Sequence, residues 1–227
     1  MHSFTRSLVI LLAFILRTDF AMAIEEPSYD QLVLEAPYEI RHYRPMLIAQ
    51  VFVDGDMDQA SNKGFRLIAD FIFGNNIPNA DRESGLSISA SSVYADGSPT
   101  SSDKKPVKIE MTAPVTVEPQ AVGDNIEMAK RWRVTFVMPS KYTLSTIPKP
   151  KNNAIELIEV PEKYYAVVSF SGFNTQAKVQ SKMNELLNWT KDKGLKSVGP
   201  AQLSRYNPPW TLPMFRRNEI LQEIAKP

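Results

Sequence analysis

Histidine is the side chain best suited to hold a metal or move a proton near neutral pH. This sequence has two, His2 and His42. His2 belongs to an apolar leader, so the one imidazole available for chemistry in the rest of the chain is His42. A single imidazole excludes a His-rich zinc or copper site in a monomer. The absence of Cys excludes disulfides, thiolate metal sites and Cys nucleophiles. Asp54, Asp56 and Asp58 are spaced like the opening of a calcium loop, but the twelfth position, which should be an acid, is Phe65. They read instead as the acidic start of a helix, where the helix dipole favours them. Gly85-Leu86-Ser87-Ile88-Ser89 approaches the G-x-S-x-G nucleophile turn but lacks its second Gly. No Gly-rich phosphate loop occurs. With no nucleophile beside a base, the chain reads as a binding protein and not an enzyme.

The elements that must position His42 follow from patterning. Met1–Arg6 is short and basic, residues 7–16 are an apolar run of ten, and Ala21-Met22-Ala23 fits a signal-peptidase site. The run is too short to span a bilayer, which needs ~20 residues. Residues 1–23 are therefore expected to be a cleaved signal peptide, leaving residues 24–227 as one domain, periplasmic or secreted, with no stable membrane insertion. Cleavage removes Arg6, Arg17 and Asp19 and leaves equal numbers of basic and acidic side chains. Such balance gives no general attraction to nucleic acid.

Within that domain the order strand, strand, helix, strand, strand is written twice, over about 36–140 and 153–226. The first copy has strands at Tyr38–Tyr43 and Met46–Val53. A helix follows, with Ala60, Gly64, Leu67, Ile68, Phe71 and Ile72 on one stripe, Asp56 or Asp58 able to cap its start, and Gly74 able to close it. Residues 79–106 read as a Ser-, Asp- and Gly-rich loop. Lys108–Glu118 alternates strictly and reads as a strand that Pro114 confines to an edge or bulge, and Arg131–Met138 repeats the alternation. The second copy places strands at Ile155–Val160, Tyr164–Phe170, Ala201–Tyr206 and Arg217–Ile224, with a helix over Thr175–Lys191. With a shift of 117 residues, Glu39 meets Glu156, Ala49 meets Ala166, Gly55 meets Gly172 and Gln59-Ala60 meets Gln176-Ala177. The expected fold class is α+β: a distorted antiparallel β-barrel of about eight strands with two helices, built from a duplicated unit.

Four segments, Tyr38–Pro45 (YEIRHYRP), Lys108–Val115 (KIEMTAPV), Tyr206–Pro209 (YNPP) and Arg216–Ile220 (RRNEI), resemble the SOUL haem-binding family in order and spacing, over about residues 27–225. The resemblance implies a distorted antiparallel barrel similar to bacterial effector-binding domains, which hold apolar ligands between their halves. It implies a haem cofactor, or another porphyrin in its place. In one branch of the family the His of the first segment is proposed as axial iron ligand; that residue is His42 here. In another branch haem lies in an apolar groove beside the first helix. There Met57 and Phe65 lie off the main apolar stripe and are candidates to face a ligand, and Lys63 and Arg66 to pair with propionates. From its own type and place His42 admits two readings, iron ligand or strand histidine satisfied by a neighbour. Arg216, Arg217, Asn218 and Glu219 read as polar groups that hold the fold, and Tyr206 with Pro208-Pro209 as a rigid turn. The alternative function is a module for another apolar small molecule in the cleft between the halves, without iron ligation.

Overall fold

The computed structural model describes residues 24–79, 106–120 and 126–227. The expected signal peptide, Gly85–Ser89 and most of the Ser-rich loop lie outside the described residues. Among the described residues eleven strands occur in chain order: β1 (Tyr29–Glu35), β2 (Tyr38–Tyr43), β3 (Met46–Asp54), β4 (Asn76–Ile77), β5 (Val115–Pro119), β6 (Arg131–Val137), β7 (Lys149–Pro150), β8 (Glu156–Val160), β9 (Lys163–Phe170), β10 (Gln202–Arg205) and β11 (Asn218–Ile224). The helices are α1 (Met57–Ile72) and α2 (Gln176–Asp192). Nine strands form one curled antiparallel half-barrel in the order β1-β2-β9-β11-β10-β5-β6-β3-β8, and β4 and β7 make a separate pair. The fold is α+β, as the patterning implied. Leaving β1 aside, the order reads the same from either end when β2, β3, β5 and β6 exchange with β8, β9, β10 and β11.

Period-two alternation sorts the sheet's two faces. Leu47, Ala49, Val51 and Val53 of β3, Trp132, Val134 and Phe136 of β6, and Ala166 and Val168 of β9 all point into the buried core beneath the helices. α1 lies on β3, β5 and β6, and α2 on β9 and β11. Helix α1 starts where Asp56 accepts from the amides of Asp58 (3.0 Å) and Gln59 (2.8 Å), satisfying two donors of the first turn. It buries Ala60, Gly64, Ile68, Phe71 and Ile72, and adds Met57 and Ser61. Gly64 is required by close approach: a Cβ there would fall 2.5 Å from Val134 Cγ2. Gly55 and Gly172, paired by the 117-residue shift, both take positive φ (136° and 96°) at the turn from strand to helix.

Two elements differ from expectation. β1 carries no alternation and is mostly exposed; it exists because it pairs with β2 along its length. Lys108–Ala113 lies outside the ladder although Ile109 is fully buried. Its backbone bonds go elsewhere: Ile109 N–H to Ile72 O (2.9 Å) and Ala113 N–H to Glu25 O (2.9 Å). The ladder begins at Val115, after the cis Ala113–Pro114 bond.

Candidate functional site

Three of the four motif segments meet on the sheet face opposite the helices. Arg41 of β2 donates to Glu219 of β11 through Nη1 (2.8 Å) and Nη2 (3.1 Å), and through Nε to Glu39 (2.6 Å). The Arg41 and Glu219 side chains are 4% and 2% exposed. Glu219 also accepts from the Tyr206 hydroxyl (2.7 Å), and Arg41 reaches the Tyr43 hydroxyl at 3.2 Å. The Arg217 guanidinium sits 3.5 Å over the Tyr206 ring. Burial works against the Arg41 charge, but its bonds to Glu39 and Glu219 outweigh this and hold its pKa above the ordinary value. Burial pushes the Tyr43 hydroxyl up to about 12, with Arg41 opposing. Tyr206 is raised by burial and then by Tyr43 and Glu219. Each of these polar side chains has a protein partner, so the cluster joins β2, β11 and the chain after β10. The reading of Glu219 as a fold-holding group agrees with this geometry.

Beside the cluster lie two open hollows. The smaller, about 100 Å³, is lined by side chains such as Tyr43, Ile48, Arg133, Tyr165 and Leu221. The larger, about 540 Å³, is bounded by residues 25–28, by Arg44–Leu47, and by Val137–Ser140 with Tyr142. The segment 25–28 is held down across it: Ser140 N–H donates to the Glu25 carboxylate (2.8 Å), Arg44 N–H to Ser28 O (3.0 Å), and Arg217 to Glu26. Small-molecule sites are typically ~300–1,000 Å³, so the larger hollow has the volume of a ligand site and the smaller does not.

The SOUL heme-binding protein family model matches residues 24–88 and 93–223. The chain belongs to the SOUL haem-binding protein family. It is a family of binding proteins, and membership supports binding of haem or a related tetrapyrrole in general terms. No curated protein matches the chain in sequence. Among solved structures it is similar to the EcmrR C-terminal domain (11% identity, 88% of this chain and 99% of that one, TM-score 0.54). It is also similar to an uncharacterized conserved protein from Listeria innocua (11% identity, 83% and 92%, TM-score 0.51). At these identities the likeness establishes the fold.

For a SOUL protein the residues of interest are His42 and the α1 group, and the structure does not gather them. His42 lies on the helix-facing side of β2, with its ring stacked 4.4 Å from Tyr164 at 7°. Its Nε2 is 3.0 Å from Glu162 and its Nδ1 3.7 Å from Asp30, and its side chain is 14% exposed. It lines neither hollow. An iron at Nε2 would have to displace Glu162. The environment of His42 thus does not fit an axial ligand without rearrangement. Lys63, Phe65 and Arg66 are exposed on α1, over the other half of the sheet, with the Phe65 ring 5.6 Å from Phe136. Met57, expected to lie off the main stripe, is instead 2% exposed within the core. It stands three residues before Ala60 and seven before Gly64, so helical geometry places it on the same buried stripe. Asp54, Asp56 and Asp58 do not converge: Asp56 caps α1 and Asp58 pairs with Arg205 (3.4 Å). Among the described residues no cluster of metal-ligating side chains occurs. The residues that bound the larger hollow escaped the sequence reading, because 25–28 and 139–142 carry no motif and meet only through tertiary pairing.

Proposed function

We propose that this SOUL protein binds haem or a related porphyrin in the larger hollow, by shape and apolar contact and without an imidazole ligand. We propose further that it acts outside the cytoplasm as a carrier, buffer or scavenger. The observation that carries the reading is the hollow itself. It has ligand-site volume and a mixed lining, apolar along Met46, Leu47, Val137, Met138 and Tyr142 and polar along Glu25, Glu26 and Arg44, with no histidine. Its apolar side suits the face of a macrocycle. The thioethers of Met46 and Met138 are the soft donors near a bound iron; Arg44 at the rim is paired with Asp30 (2.6 Å), and Glu25 and Glu26 also line the hollow, so the propionates would be directed away from these carboxylates and out to solvent. Haem would supply its own iron chemistry there; the chain supplies an apolar wall for the face of the macrocycle. The lack of imidazole also favours a second reading, an apolar ligand that carries no metal.

Titration with haem and, separately, with metal-free protoporphyrin tests this. Both should bind with comparable affinity. Met46→Trp, which fills the hollow, should weaken both by about tenfold or more, the loss of ~1.4 kcal/mol of contact. His42→Ala should leave the Soret band and the affinity unchanged. Binding of haem alone, abolished in a folded His42→Ala protein, would establish imidazole ligation and defeat the proposal. Binding of neither would leave the second reading. For location, protein from the native host should begin at Ile24 by mass spectrometry; an intact Met1 would oppose export with cleavage.

A further inference from the structure

The chain after β10 forms a loop, Asn207–Arg216, that displays large apolar side chains to solvent. Trp210 is 84% and Phe215 71% exposed, and Leu212 and Met214 are each more than half exposed. Phe173, from the turn between β9 and α2, joins them: Gly172 N–H donates to Pro213 O (2.8 Å), and Arg216 lies 5.6 Å over the Phe173 ring. Single exposed apolar residues are ordinary, but five in one contiguous patch are not.

The exposure is built in. Three prolines (208, 209 and 213) restrict the loop. Thr211 N–H donates to Pro208 O (3.0 Å) and Phe215 N–H to Leu212 O (2.9 Å). Arg216 donates through Nε to Thr211 O (2.8 Å) and through Nη2 to Pro209 O, so its guanidinium is bonded to the loop's own carbonyls. The loop therefore presents its apolar side chains without further ordering cost on binding.

The loop and the Phe173 turn carry no acid of their own, and the nearby acids Glu26 and Asp58 are paired with Arg217 and Arg205. No Asp or Glu occurs from Leu203 to Asn218 or from Ser171 to Asn184. Among the described residues, neither Arg216 nor Lys178 has a carboxylate partner; Lys178 bonds to Ser171 O (2.8 Å). A twofold contact between copies would set these cations against their own kind. A lipid bilayer offers the complement, an apolar layer bordered by phosphate oxygens, and Trp is the side chain most at home at that border. We infer that the Asn207–Arg216 loop, with Phe173, docks the protein on an anionic lipid surface, with Arg216 and Lys178 meeting headgroup phosphates. Arg217, next to the loop, pairs with Glu26 of the larger hollow, so the docked surface adjoins that hollow.

The test uses the full chain as its host produces it, with vesicles of phosphatidylcholine alone or mixed with phosphatidylglycerol. The wild type should partition onto the mixed vesicles, with a blue shift in tryptophan emission. Trp132 is buried and Trp189 is stacked on Tyr38, so Trp210 supplies the shift. Trp210→Phe should keep partitioning and lose the shift. Trp210→Ser with Phe215→Ser should lower partitioning by about a hundredfold, roughly tenfold for each large apolar side chain withdrawn. Lys178→Glu should abolish the preference for phosphatidylglycerol. Equal partitioning of wild type and double variant would overturn the inference. So would self-association of the wild type that the double variant lacks, without vesicle binding, which would assign the patch to a second copy. Loss of porphyrin binding in the double variant, with no vesicle partitioning in the wild type, would overturn it in favour of a ligand site. A failed porphyrin titration with intact partitioning leaves the lipid surface standing.

Discussion

Glu219 is the position where a single substitution should cost most. Its carboxylate is nearly inaccessible and accepts from both terminal nitrogens of Arg41 and from Tyr206, with the Ser169 hydroxyl at 3.3 Å. Glu219→Leu keeps the bulk and removes the charge, stranding a buried guanidinium. Breaking a buried ion pair in this way costs ~3–5 kcal/mol. Glu39 remains bonded to Arg41 at 2.6 Å, which places the loss at the lower end, about 3 kcal/mol. For a domain of this size that is a fall in Tm of roughly 6–12 °C. Arg41→Met alone should be similarly harmful, because it strands Glu219. The double variant Arg41→Met with Glu219→Leu should recover most of the loss, since an apolar pair of similar volume is often neutral or better. It still leaves the Tyr206 hydroxyl without its acceptor, a cost of ~1–3 kcal/mol that adding Tyr206→Phe should remove. Urea unfolding followed by circular dichroism supplies all the free energies. Additive losses in the double variant, or a cost below ~1 kcal/mol for Glu219→Leu, would refute the view of this cluster as a coupled clasp.

Stability should also fall in alkali. Burial raises Tyr43 from 10.0 to about 12 and raises Tyr165 and Tyr206 as well, so the fold favours the neutral hydroxyls. Their contribution is present in full below pH 10 and is lost as pH rises toward 12; the urea midpoint should be flat up to pH 10 and then drop, with a shallower drop in Tyr43→Phe. Gly64→Ala should destabilise by ~1–3 kcal/mol despite the gain in helix propensity, because its Cβ must displace Val134, and a Tm at or above wild type would disprove that contact. Residues 24–148 and 149–227, expressed separately, should each lack a cooperative melt, because β2 pairs with β9 and β5 with β10 across the division.

Much of the fold was legible because its signals are local. Asp56 and Thr175 sit where caps belong, and both caps form. The alternation in Met46–Val53 and Arg131–Met138 separates helix-facing from opposite side chains, and both segments are strands. β1 was not legible, because an exposed edge strand needs no apolar face and owes its existence to the unpaired edge of β2. Lys108–Ala113 misled for the opposite reason. Its residue types alternate as in a strand, but the alternation does not fix which carbonyl each amide meets; off the ladder, Met111 turns outward and Thr112 is buried.

The candidate site was legible only where chemistry rides on a rare residue type, and there the structure redirects attention. His42 drew notice as the one imidazole beyond residue 23, yet Asp30, Glu162 and Tyr164 already surround it. The larger hollow has no rare residue at all. It is a void between segments some hundred residues apart, fixed by bonds such as Ser140 N–H to Glu25, and no local pattern encodes a void. The patch at Trp210–Phe215 shows the same limit from the other side. Trp, Leu, Met and Phe within six residues would ordinarily be read as core. What turns them outward is Arg216, whose guanidinium is bonded to Thr211 O and Pro209 O and so ties the loop to itself. Its neighbours Arg217, Asn218 and Glu219 act inside the fold, on Tyr206, Gly172 and Arg41. One short motif therefore holds the sheet together through its last residues and holds an apolar surface open through its first. A substitution at Arg216 and one at Glu219 should separate the two roles, the first changing surface binding at constant Tm and the second changing Tm.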